Sequence, residues 1–224
     1  MDLSFKSIFS QSTSILKSNK KEVIVLTVIN TYFLYLITNL SRIIEQVKDA
    51  PSAIFAFFVA ITPILSALLF LLLPIIILNK ESGHNISYPK MIQYTATRFI
   101  PLAITNIMYG AIVLVGYLLF IIPGLIWFYT YGQAHLFSLI DGLNPIQSLK
   151  MSKMVTKKCK RKLFNVLALI GIVYGVPLAL INLVLTIFKI PEFMVLSMGI
   201  EVFGSYLFSI TNYVIWKTLR QNMI

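Results

Sequence analysis

The chain has 224 residues, of which 58% are hydrophobic and only 12% charged. A soluble domain carries about 25% charged residues, so this composition excludes an ordinary water-facing surface. The formal net charge is +11, but the basic residues lie between long apolar blocks, which is the pattern of membrane topology, and no nucleic-acid partner is expected.

Residues 1–22 come first and form an amphipathic segment. At helical spacing Phe5, Ile8, Phe9, Ser12, Ile15 and Leu16 share one face, and Lys6, Ser10, Ser14 and Lys17 lie opposite. Such a helix fits the headgroup layer of a bilayer. The polar, Ser-rich start lacks a small-residue cleavage site, so no signal peptide is expected. A bilayer core about 30 Å thick needs roughly 20 apolar residues in a helix. Five apolar regions meet that need, and one of them is long enough to fold back, giving spans at 23–40, 53–78, 99–121, 124–140, 163–187 and 193–216. The fold-back is placed at the interhelical turn Ile122-Pro123-Gly124, where proline ends one helix and glycine permits a tight turn.

The charges test this count. With the N-terminus in the cytoplasm, sixteen of the nineteen Lys and Arg residues fall inside, and only Arg42, Lys48 and Lys189 fall outside. That is a strong positive-inside bias, and it puts both termini in the cytoplasm. The single cysteine, Cys159, excludes an internal disulfide. Three inside segments resemble one another in pattern: residues 3–17; Tyr88 to Thr97, with Met91, Ile92 and Thr95 on one face; and 144–162. In the third, Asn144 is the expected N-cap, Pro145 the first helical residue and Gln147 the partner in a capping box. The expected fold is therefore all-α, an integral membrane bundle of about six transmembrane helices with interfacial helices on the cytoplasmic side. Three helix-plus-hairpin units are one way to read the pattern. The other is that any inside loop acquires basic, weakly helical segments.

The stretch from Ile122-Pro123-Gly124-Leu125-Ile126-Trp127 to Asp141-Gly142-Leu143-Asn144-Pro145-Ile146-Gln147-Ser148-Leu149-Lys150-Met151-Ser152 is the most distinctive. It resembles YciC-like bacterial membrane proteins and the related membrane domain found with glycerophosphoryl diester phosphodiesterases. Their pattern is an Ile-Pro-Gly turn, an aromatic-rich span, an acidic-Gly-x-x-Pro step and a helix with Ala/Ser-Leu-x-x-Ser. The resemblance covers about residues 120–165. It implies a multi-span helical domain in a bacterial inner membrane, and no reaction.

Candidate functional residues are few. Glu201 is the one acid inside an expected span, and burying a carboxylate is costly unless it is paired, neutral or near water. His135 is a candidate partner if spans four and six are neighbours, with Gln133 beside it and Asn182 on span five. This polar set reads either as a substrate- or proton-contacting site or as a clamp between helices. Lys150, Lys153, Lys157, Lys160 and Arg161 form one stripe on the expected 144–162 helix, fit to meet anionic lipid headgroups or simply to fix topology. Gly171 and Gly175 form a G-x-x-x-G, which lets helices pack closely within the chain or between chains. One cysteine and two histidines, His84 and His135, placed in different compartments, cannot assemble a Cys/His metal site. No metal, cofactor or enzyme motif is expected. The expected partners are the lipid bilayer, anionic headgroups and a membrane protein. The leading expectation is a non-enzymatic lipid- or partner-organising protein; the alternative is a transporter built around Glu201 and His135.

Overall fold

The computed structural model describes residues 3–46, 52–83, 86–188 and 193–222. Among these the chain is helical throughout, with no strand: α1 Phe5–Ser18, α2 Lys20–Gln46, α3 Ser52–Glu81, α4 Tyr88–Leu119, α5 Ile121–Tyr131, α6 Ala134–Leu139, α7 Pro145–Thr156, α8 Lys160–Ile170, α9 Val176–Phe188 and α10 Phe193–Gln221. Among the described residues three stretches are long and apolar enough to cross a membrane: Ile64–Glu81, Tyr88–Leu119 and Lys160–Ile181, the last running from α8 into α9. Lys48, Lys189 and His84 lie outside the described residues.

α10 is the axis of the bundle. Its Tyr206, Ile210, Tyr213 and Trp216 face a core shared with α2, α3, α4 and α6. Its Val214, Ile215 and Leu219 face a second cluster with Ile8 of α1 and Leu163, Val166 and Ile170 of α8. α1 sorts its faces by the expected period: Ile8 and Ser12 are buried, while Lys6, Ser10, Ser14 and Lys17 are exposed. Its apolar face meets protein, namely α8 and α10, because their apolar side chains Leu163, Val166, Ile215 and Leu219 offer it a packed surface.

Charged residues gather at one end of the bundle. Lys80 reaches Glu22 at 2.7 Å, Lys217 reaches Glu81 at 2.8 Å, and Arg220 reaches Asp141 at 2.7 Å. Burial pushes the Glu22 carboxyl up, but the hydrogen bond and charge of Lys80 outweigh it and hold the group below its ordinary range. At Asp141 burial wins: the carboxyl sits above its ordinary range although the Arg220 charge opposes the rise. Next to it Gly142 has φ +67°, and a Cβ there would meet the Arg98 guanidinium at 2.6 Å, so only glycine fits. Arg98 Nη1 donates to the Gly142 carbonyl at 3.1 Å. The acidic-Gly step of the sequence is thus a tied corner between α6 and α7.

Four local expectations are corrected. The fold-back lies at Phe120, which is extended (φ −167°, ψ 156°), and Pro123 sits in the first turn of α5. A helix's first four N–H groups have no intrahelical partner, so the missing proline N–H is harmless there. Gly124 is helical and makes room for α4, as a Cβ on Gly116 would stand 2.8 Å from Gly124 Cα. The 124–140 span is not one helix, because it breaks at Gly132-Gln133. There the Gly132 carbonyl is taken by His135 Nδ1 at 2.8 Å, which pulls it out of the helical ladder. The Tyr88–Thr97 segment is no separate interfacial helix but the first turns of α4; Met91 and Thr95 are buried and Ile92 is exposed. Finally, the 144–162 helix stops at Thr156. Asn144 caps its N-terminus as expected, Oδ1 accepting from Gln147 N at 2.9 Å, but among the described residues the Gln147 side chain does not return the bond, so the expected capping box is not closed. At the other end Thr156 Oγ1 turns back to the Ser152 carbonyl and also bonds the Thr130 carbonyl, and i→i−3 bonds at Lys157 and Cys159 tighten the chain into a turn before α8. The three-unit pattern therefore has separate leading helices only in its first and third members.

Candidate functional site

Of the recesses between the described helices, two matter most for the site. The larger is an apolar groove of about 890 Å³ walled by α2, the start of α9 and the first half of α10. From α2 come Ile24, Val28 and Tyr35, from α9 Pro177, and from α10 Leu196 and Gly199; no charged side chain lines it. Ile24 to Tyr35 is eleven residues, so the groove follows α2 for about 16 Å. Thr31 Oγ1 opens this wall to one buried hydroxyl without a hydrogen-bond partner. At the end near α1, Phe9 stacks on Tyr174 with centroids 6.1 Å apart, so α1 bounds the groove there. Lys20 and Lys21, both exposed, lie one helical turn before Ile24.

The wall owes its shape to Gly171–Gly175, which is a π-turn between α8 and α9. Pro177 cannot donate to the Val173 carbonyl and its ring crowds that oxygen; a wider turn relieves both. A Cβ on Gly171 or Gly175 would meet nothing within 4 Å. The internal packing expected of this G-x-x-x-G is not made, because the widened turn faces outward. The close-packing glycines are Gly116 and Gly124.

The smaller is a cavity of about 430 Å³ between α3, α4, α6 and α10, whose mostly apolar wall, with Leu71, Leu102 and the phenylalanines Phe70, Phe99 and Phe208, carries four polar side chains, Asn106, His135, Ser209 and Asn212. Gln133 sets its floor by donating from Nε2 to Asn212 Oδ1 at 3.1 Å, and Asn212 Nδ2 donates to the Phe208 carbonyl at 3.1 Å. α6 runs alongside α10 in parallel: Gln133 meets Asn212, Phe137 meets Trp216, and Asp141 meets Arg220.

That register separates the expected pair. Glu201 is exposed, eleven residues before Asn212 on the same helix, or about 16 Å away. His135 and Gln133 therefore share a site with Asn212, and Glu201 is not part of it. The break at Gly132 is the cause, since it drops α6 toward the charged end of α10. Asn182 belongs to α9, and its side chain lies outside the described residues. Asn106, Ser209 and Asn212 were passed over in the sequence, although Asn106 and Asn212 stand out as amides inside apolar stretches.

The basic residues are all exposed but do not form one stripe. Lys150 and Lys153 are on α7, Lys157 is in the turn, and Lys160 and Arg161 begin α8. The turn at Thr156 divides them. Between them Ser152 and Thr156 face inward and both bond the Thr130 carbonyl, at 2.9 and 3.1 Å.

No family model, no curated protein and no solved structure matches this chain.

Proposed function

We propose that the chain is a non-enzymatic, multi-pass protein of a bacterial inner membrane that holds lipid in the α2–α9–α10 groove and organises it against the basic cytoplasmic end. In this reading the chain crosses the bilayer six times with both termini inside, and it belongs with the YciC-like proteins it resembles over residues 120–165. The observation that carries the proposal is the groove: about 890 Å³, uncharged, and bordered by exposed apolar side chains such as Val28, Ile181 and Leu196. Ligand sites occupy roughly 300–1,000 Å³, so this volume suits an acyl chain, which gains about 0.8 kcal/mol per buried CH₂. Lys20 and Lys21 at the groove's base, with Lys150, Lys153, Lys157, Lys160 and Arg161 further round the same end, supply charge for anionic headgroups.

The test fills the groove from its exposed walls, where extra volume does not strain the core. In Val28→Trp and Leu196→Trp the lost contact of about two methylenes weakens retained phospholipid roughly tenfold. Native mass spectrometry of the purified full chain counts the phospholipid adducts. Equal adducts on wild type and both variants would remove the groove from the proposal. Small-molecule transport is the second reading, favoured by the smaller cavity; it no longer includes Glu201.

A further inference from the structure

Buried polar groups in proteins almost always find hydrogen-bond partners, and exceptions inside apolar spans call for a cause. Three polar side chains with unused hydrogen-bonding capacity meet at one cavity: Ser209, which is buried, His135, which is partly buried, and Asn106, which is exposed at its edge. Asn106 makes no hydrogen bond to the described protein, and it stands in α4, a helix apolar enough to cross a membrane. Ser209 is buried, yet its hydroxyl does not turn back to the helix as Ser205 and Thr211 do. His135 spends Nδ1–H on the Gly132 carbonyl, an acceptor only, so the neutral ring offers Nε2 as an acceptor, and no group among the described residues donates to it. Asn212 is held by Gln133 and presents a fixed wall. No charged side chain lines the space, while Phe70, Phe99 and Phe208 do. Asn106 and Phe208 are exposed and mark the mouth, which opens sideways from the bundle.

We infer that this cavity binds a small, uncharged aromatic molecule carrying a hydroxyl, whose O–H is donated to His135 Nε2 and whose oxygen accepts from Asn106 or Ser209. The three aromatic rings recognise the flat body through edge and face contacts. A charged ligand would find no counter-ion there and is disfavoured by desolvation. A volume of about 430 Å³ admits a body of two fused rings. A neutral molecule of this kind reaches the mouth from the apolar phase without shedding a charge. The site is separate from the lipid groove and does not rest on it.

The chain contains only two histidines, which makes the test direct. The full chain, labelled with ¹⁵N at histidine and purified in lipid nanodiscs, is titrated with 2-naphthol. The expected result is a saturable upfield movement of the His135 Nε2 resonance, with His84 unmoved. Naphthalene, which has the rings without the donor, leaves Nε2 in place. In Asn106→Leu the midpoint rises about tenfold, as expected for loss of one desolvated hydrogen bond. No movement, equal movement with naphthalene, or equal movement of both histidines would overturn the assignment. Because wild type alone decides these three outcomes, misfolding of a variant cannot rescue it.

Discussion

Gly124→Leu separates α4 from α5 and costs about 3 kcal/mol or more, as does Gly116→Leu. The reason is that backbone as well as side chains crowd both positions. A Cβ on Gly124 would lie 2.9 Å from the backbone nitrogen of Tyr117 and 2.5 Å from its ring, and one on Gly116 would lie 2.8 Å from Gly124 Cα. Neither helix can yield without opening the hairpin, because Tyr109 and Phe128 pack across the same seam with Tyr109 Oη donating to the Phe128 carbonyl at 3.3 Å. The comparison is with Gly171→Ala and Gly175→Ala, whose Cβ atoms enter open space. In those, the gain in helix propensity is up to about 1 kcal/mol, offset in part by loss of freedom in the π-turn. Unfolding of the reconstituted chain in sodium dodecyl sulfate separates the two glycine pairs. Equal stability losses at all four positions would contradict this division of roles.

Trp216→Ala is expected to cost about 3–5 kcal/mol, the usual range for emptying a fully buried indole site. Trp216 is 1% exposed. Its ring meets Phe137 edge-on with centroids 6.3 Å apart, lies 5.7 Å from Tyr213, and carries the Arg220 guanidinium at 5.2 Å. Loss of the ring opens a void at the join of α6 and α10 and frees Arg220 from its seat beside Asp141. The same joint fixes the Gln133–Asn212 register, so the smaller cavity loosens with it. Trp216→Phe keeps part of the packing and falls between. Trp127→Ala, at a half-buried position, costs less. If Trp216 instead acted as an interfacial anchor, the two alanine variants would lose similar stability and the Gln133–Asn212 contact would be unaffected.

Much of this arrangement is legible in local sequence, for physical reasons. Backbone groups in an apolar phase must bond within helices, so long apolar blocks announce helices by composition alone. The period of Phe5 to Lys17 reveals which face of α1 is covered, and Asn144 with Pro145 announces the start of α7. What resists reading is register between distant helices. Gly132 looks like any glycine in an apolar run until its carbonyl is seen taken by His135; that one break slides α6 along α10 and exchanges Glu201 for Asn212 as the neighbour of Gln133. Glycine roles are hidden in the same way. Gly171 and Gly175 carry the recognised spacing but have open space where a Cβ would stand, whereas Gly116 and Gly124, eight apart across a turn, meet through tertiary contact. Likewise the Lys150–Arg161 stripe presumed an unbroken helix, and the Thr156 hydroxyl, drawn to the Thr130 carbonyl, divides it.

Sidedness is the most direct test of the proposed arrangement. In a Cys159→Ser background, single Lys153→Cys and Lys189→Cys variants are treated with a membrane-impermeant maleimide. In intact cells label is expected at position 189 alone, with position 153 reacting only after permeabilisation. Label at position 153 in intact cells, or at 189 only after they are opened, would contradict a bilayer-crossing chain with its basic end inside.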